Sequence, residues 1–162
     1  MNNNAMQELS DQIKSLLQAD TSRETALPKV LQLVLTAYQS ETGTIHRLDG
    51  EKQLLHLAAQ IGMPPFLMDT IKLIPVGKGI AGQTVERGSP VTICNLQTDT
   101  SGVAKPGAKK TGVGGALCVP LRAGNKIVGT IGVGTQRPYE YTSTETQTLE
   151  EIGRIIGELG LT

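Results

Sequence analysis

The chain has 162 residues, 38% of them hydrophobic and 19% charged, and its 15 basic and 15 acidic side chains cancel to a formal net charge of zero. That length suits one domain burying about two thirds of its unfolded surface in a single core, and the balanced charge excludes a general attraction to nucleic acid or to an anionic membrane. No apolar run approaches the roughly 18 residues of a spanning helix, and the start MNNNAMQELSD lacks the basic and apolar segments of a signal peptide, so the expected compartment is the cytoplasm.

Leu9, Ile13, Leu16 and Leu17 recur at helical spacing and predict an amphipathic helix over residues 5–18. Thr21 with Glu24 offers a capping-box start to a second helix, whose apolar face is Leu27, Val30, Leu31, Val34 and Tyr38. Pro28 falls early enough in that helix to be tolerated. The second stripe reads as core, the first equally as core or as a dimer contact.

Residues 42–48 and 54–60 flank a polar turn around Glu51 and predict a β-hairpin. A register symmetric about Glu51 sets Leu48 opposite Leu54 and His46 opposite His56. Two opposed histidines suit a metal or a pH-dependent pair. No third ligand lies nearby, so a polar cross-strand pair without metal is the expectation.

After Gly62, a short helix or turn feeds a brief strand at Leu73–Pro75, and a further helix opens near Gly79. Gly77 and Gly79 permit a tight turn there, and the first free amides of the helix would face a space suited to a carboxylate or phosphate. Gly88 is the expected stop, followed by a strand over PVTIC. From Asn95 to Gly114 there is no strong periodicity, and a loop of that length reads as a lid. Lys105, Lys109 and Lys110 within it are candidate anion contacts, with a solvated basic loop as the alternative. The stretch from Ile74 to Leu121 thus predicts a loop-lidded cavity against one face of a sheet.

Residues 115–121 and 126–134 pair as a hairpin about RAGN. In its second strand Ile127, Gly129, Ile131 and Val133 alternate with Val128, Thr130, Gly132 and Gly134, and the face of small residues would admit a helix close to the sheet. Thr142 with Glu145 gives another capping box, and Leu149, Ile152, Ile156 and Leu159 form a heptad-like seam in the last helix, with Ile155 beside it. Cys94 and Cys118 have no second cysteine or histidine at ligand spacing, so both read as reduced, small core residues.

Four pieces, TGTIHRLD with LHLAAQIG, IPVGKGIAGQTVERGSPVTICNLQTD, GALCVPLRAGNKIVGTIGV and RPYEYTSTETQTLEEIG, together resemble the GAF domain family over nearly the whole chain. The resemblance implies an α+β fold: an antiparallel central sheet of five to six strands, terminal helices on one face, and short helices and loops over a ligand pocket on the other. Residues 1–162 would form one such domain, with the helix at 5–18 preceding a core of 21–159 that includes a C-terminal helix at 143–159. The implied role is ligand sensing and dimerisation in signalling. Its partners would be an unidentified small molecule, a second copy of the chain and a signalling protein, with no nucleic acid, membrane, metal or cofactor. The expected ligand residues are Gly79, Ile80, Ala81 and Thr84 at the helix start, with Lys105, Lys109 and Lys110 above them. The expected dimer residues are Leu9, Ile13, Leu149, Ile152 and Ile156.

One catalytic branch, the free methionine-(R)-sulfoxide reductases, is similar through IPVGKG but carries a cysteine where this chain has Ala81. Its active cysteine lies in the loop before the penultimate strand, and residues 95–114 contain none. Cys118 falls in a strand expected to be buried, and Cys94 alone lacks a resolving partner, so no catalytic residue and no enzyme activity are expected. A bilin attachment cysteine is missing from the loop, and only Asn125 and Lys126 match a cyclic-nucleotide signature. A haem would have His46 or His56 as axial ligand but little aromatic cover. Beside the sensor reading stand a ligand-free dimerisation or docking module, whose pocket would be filled by its own side chains, and a residual thiol redox enzyme centred on Cys94.

Overall fold

A computed structural model describes residues 2–19, 22–103 and 112–161. Helix α1 spans Asn3–Gln18, with Asn2 as its N-cap accepting from the Ala5 amide. Helix α2 spans Arg23–Ala37. Its cap is Ser22, whose hydroxyl accepts the Thr25 amide at 3.3 Å. The cap therefore lies one residue beyond the Thr21 of the expected Thr21–Glu24 box and is a single bond, because adjacent Thr and Ser are both competent caps; Thr21 itself lies outside the described residues.

Strands β1 (Thr42–Asp49) and β2 (Leu54–Ile61) form the first hairpin. A short 3-10 turn at Pro65–Leu67 leads into α3 (Met68–Ile71), β3 (Leu73–Pro75), α4 (Gly79–Arg87) and β4 (Val91–Ile93). The chain closes with β5 (Ala116–Ala123), β6 (Lys126–Gly134) and α5 (Ser143–Leu159). The strands make one six-stranded sheet in the order β3-β2-β1-β6-β5-β4, antiparallel at every junction. Both features match the sheet expected from the sequence.

The register of the first hairpin differs from the symmetric one. A bulge between Ile45 and His46 pairs His46 with Leu57 and Arg47 with His56, and Leu48 with Leu55. A one-residue slip turns a strand's side chains to the opposite face, so His46 and His56 are not an opposed pair. The extra residue, Ala58, lies in β2, while β1 pairs with β6 without interruption, so plain alternation keeps Ile45 in the core and puts His46 on the other face.

On one face of the sheet Ile45, Leu117, Val119, Leu121, Ile131 and Val133 pack against α2 and α5, with α1 laid across both helices. Close contact depends on glycines in two layers. A Cβ on Gly43 of β1 would lie 2.9 Å from side-chain carbons of Leu31 and Leu35. On α5, a Cβ at Gly153 would sit 2.7 Å from the Pro120 carbonyl oxygen, and one at Gly157 would overlap the Arg122 carbonyl. The helix therefore rests almost on the backbone of β5. Its start is held by the expected box, with the Thr142 hydroxyl accepting the Glu145 amide and the Glu145 carboxylate accepting the Thr142 amide.

Leu9, Ile13, Leu149, Ile152 and Ile156 all belong to this core and are 0–4% exposed. They correct the dimer expectation: a heptad-like seam reads the same whether it meets a partner or the protein's own sheet. The small-residue face of β6 admits a helix as expected, and that helix is the short α4. Thr130, Gly132 and Gly134 look away from the large helices, towards α4 and the space beneath it.

Candidate functional site

Those small side chains leave room on the second face of the sheet. A cavity of about 470 Å³ lies between that face and the cover formed by the 65–75 segment, the start of α4 and the loop ends around Leu96 and Val113. Its sheet wall is Thr42, Thr44, His46, Ala116, Cys118, Gly132 and Gly134. The opposite wall is mainly apolar, with Leu67, Ile71, Ile74 and Ile80. A separate depression along the outer side of α1, between Asn4, Gln7, Asp11 and Leu33, is an open groove on the surface. Enclosure and convergent polar groups favour the first as the binding site.

Gly79, Ile80 and Ala81 line this cavity as the sequence suggests. Gly79 has φ of 64°, a left-handed conformation that turns the chain from β3 into α4. The N-cap, Lys78, makes no side-chain cap bond to the first amides of the helix. The helix ends where expected, at Gly88 with φ of 66°. Thr84 sits elsewhere: it is fully buried behind the wall, and its hydroxyl donates to the Ile80 carbonyl at 2.8 Å. Lys105, Lys109 and Lys110 lie outside the described residues. Of the expected lid, Leu96 and Val113 pack with Ile93, Ala116, Ile80 and Val103 into a small apolar cluster that seals one end.

Sequence reasoning missed the polar floor. His46 is 1% exposed, and its Nε2 lies 2.8 Å from the Ile71 carbonyl oxygen. A carbonyl only accepts, so Nε2 carries the hydrogen. Burial lowers the pKa of His46 from its ordinary value, and the bond to Ile71 opposes that shift in part. A signal was available in the alternation of β1, which sets His46 on the face opposite Ile45, but alternation alone does not say that a cavity lies there.

The two cysteines separate chemically. Cys118 is buried on the cavity face, and desolvation pushes its thiol up to about 11 although the neighbouring Thr84 and Thr130 hydroxyls pull it back in part. Cys94 is exposed, against the expectation that both are core residues. It follows Ile93, and Val91 rather than Cys94 pairs with Cys118. Three residues of strand, about 10 Å, separate Cys94 from that position, beyond the reach of a disulfide. Among the described residues no group of three or more His, Cys, Asp or Glu side chains is placed to hold a metal ion. None of their helices is long and apolar enough to cross a membrane.

A layered antiparallel sheet with terminal helices on one face and a small cavity under short helices on the other is the architecture of a GAF-type domain. The GAF domain profile matches residues 20–159, and the chain belongs to that family, whose members are generally sensory or regulatory modules for small ligands. The free methionine-R-sulfoxide reductase of Neisseria meningitidis, solved in complex with its substrate, is similar with a TM-score of 0.81 at 18% identity, over 99% of this chain and 92% of its own. The GAF domain of an Acinetobacter phosphoenolpyruvate-protein phosphotransferase gives 0.80 at 19% identity, over 98% and 93%. The A. aeolicus NLH2 GAF domain, in an inactive state, gives 0.74 at 22% identity, over 96% and 94%. At such identities these likenesses concern the fold. No curated protein matches the sequence.

Proposed function

We propose that this chain is a non-enzymatic sensor that binds a small ligand in the cavity and signals as a homodimer through its terminal helices. The observation that carries the reading is the 470 Å³ cavity, bounded by the amides at the start of α4 and by strands that also support the helical layer. Free amides at a helix start favour an acceptor such as a carboxylate or carbonyl. Ligand contacts to β5 and β6 would bias the position of α5 by population shift, since α5 rests on β5. A ligand-free docking module predicts a pocket filled by its own side chains, and the open volume weighs against it. A thiol reductase needs paired reactive sulfurs, and the inert Cys118, the distant Cys94 and Ala81 in the helix start weigh against that.

Native mass spectrometry of protein purified from its own host tests the proposal. A dimer carrying an added small mass is the expected species. A clean ligand-free dimer would move the assignment to docking, and a monomer would remove the homodimer. Loss of the retained ligand in a Lys105→Ala, Lys109→Ala, Lys110→Ala triple variant is expected if those lysines contact it; full retention would exclude them.

A further inference from the structure

Among the described residues, two buried side-chain polar atoms have no hydrogen-bond partner in the protein: His46 Nδ1 and Thr130 Oγ1. Their residues are directly paired across β1 and β6, but Thr130 lies behind the lining residues, beside the Cys118 thiol. His46 lines the cavity, and its Nε2–H is committed to the Ile71 carbonyl. In the neutral ring Nδ1 is then a bare acceptor. Leaving such an atom buried and unpaired is unfavourable, a cost that a binding site can recover from its ligand. No Asp or Glu lines the cavity, so a cation would find no countercharge there.

We infer that the cavity selects a small, mostly apolar molecule without a cationic centre through a hydroxyl or N–H group donated to His46 Nδ1. This rests on the reading of the cavity as a ligand site and adds the chemistry by which it chooses. Wall and acceptor divide the work. The apolar wall accepts many shapes of similar size, whereas the lone acceptor penalises any analogue that cannot donate, because desolvating Nδ1 without replacing its bond is unfavourable.

Matched probes that differ in one donor test it: indole, and 1-methylindole, which keeps the ring and replaces N–H by N–CH3. The full chain contains two histidines, so [15N]histidine labelling gives two ring systems, assigned with a His56→Gln variant. The unliganded protein is expected to show His46 as the Nε2–H tautomer. Indole is expected to bind at least tenfold more tightly than 1-methylindole and to move the His46 Nδ1 resonance upfield while leaving His56 in place. His46→Phe should reverse the preference, since a purely apolar cavity favours the more apolar methylated ring. Should that variant fail to fold, the nitrogen shift in the unaltered chain gives the same decision. An Nδ1–H tautomer overturns the inference. Equal binding, or tighter binding of 1-methylindole, with an unmoved Nδ1 overturns it but leaves a ligand cavity. Binding of neither probe overturns the inference, and the cavity reading falls with it only if native mass spectrometry also finds no retained small molecule.

Discussion

The two faces of the sheet are built from the same strands and differ in every other residue. Towards the long helices β1, β5 and β6 present Ile45, Val119 and Ile131, each fully buried. One step along, towards α4, the neighbouring rows are Thr44, Cys118 and Gly132, then His46, Pro120 and Thr130. The first face is filled and the second is not. Stability and function are thus separated by strand alternation, and substitutions on the two faces should fail in different ways.

The largest effect is expected on the filled face. Leu149→Ala should lower the unfolding free energy in urea by about 2–5 kcal/mol, and Ile152→Glu should abolish folding, not produce a folded monomer. A folded, cooperative Ile152→Glu protein would show that the seam is a surface. The next effect is a pH dependence from the opposite face. Because burial lowers the pKa of His46, the unfolded chain takes up its proton first as pH falls below about 6.5. The contribution of His46 to stability is therefore complete above that pH and declines through the interval down to its folded-state value. Urea midpoints between pH 7.5 and 5 should fall in the parent and in His56→Gln; a flat parent profile over that interval would contradict a neutral buried ring.

A smaller change in stability sharpens the contrast. A Cβ on Gly132 would meet Thr44 Oγ1 at 3.6 Å and Cys118 Sγ at 3.7 Å, ordinary contacts at the cavity wall. Gly132→Ala should leave stability unchanged or raise it by up to about 1 kcal/mol, while Gly132→Leu should occlude the cavity and reduce occupancy by the retained ligand. Unchanged occupancy in the leucine variant would place the ligand elsewhere. The smallest effect concerns the cysteines. Cys94→Ser should alter stability by less than about 0.5 kcal/mol, and it should remove the fast phase of thiol titration in the folded protein. Cys118 should react only on unfolding, and rapid modification of Cys118 in native buffer would show the cavity to be open to the reagent.

The long-period features were legible in the sequence because each rests on several residues. The stripes of α1, α2 and α5, the Thr142–Glu145 box, the glycine boundaries of α4 and the β5–β6 hairpin all appear where spacing places them. Together they support the fold and the cavity wall at Gly79, Ile80 and Ala81. The errors are of another kind. A seam of Leu149, Ile152 and Ile156 reports burial but not against what, and the symmetric pairing of His46 with His56 fails because β2 carries an extra residue, Ala58, that no local pattern announces. Cys94 lies one residue beyond its strand, where local pattern ceases to indicate burial. The polar anchor under the cavity is a matter of partners left unmet, which only three-dimensional accounting reveals.

The glycine contact between α5 and β5 has a mechanical consequence. With no side chain at Gly153 or Gly157 to act as a cushion, the helix axis is referenced to main-chain atoms of Pro120 and Arg122. Side chains can absorb a small displacement by changing rotamer, but main chain pressed on main chain cannot. At these two points the seat of the last helix is set by main chain alone, so its height above the sheet is fixed by the rear of the strand whose front carries Cys118.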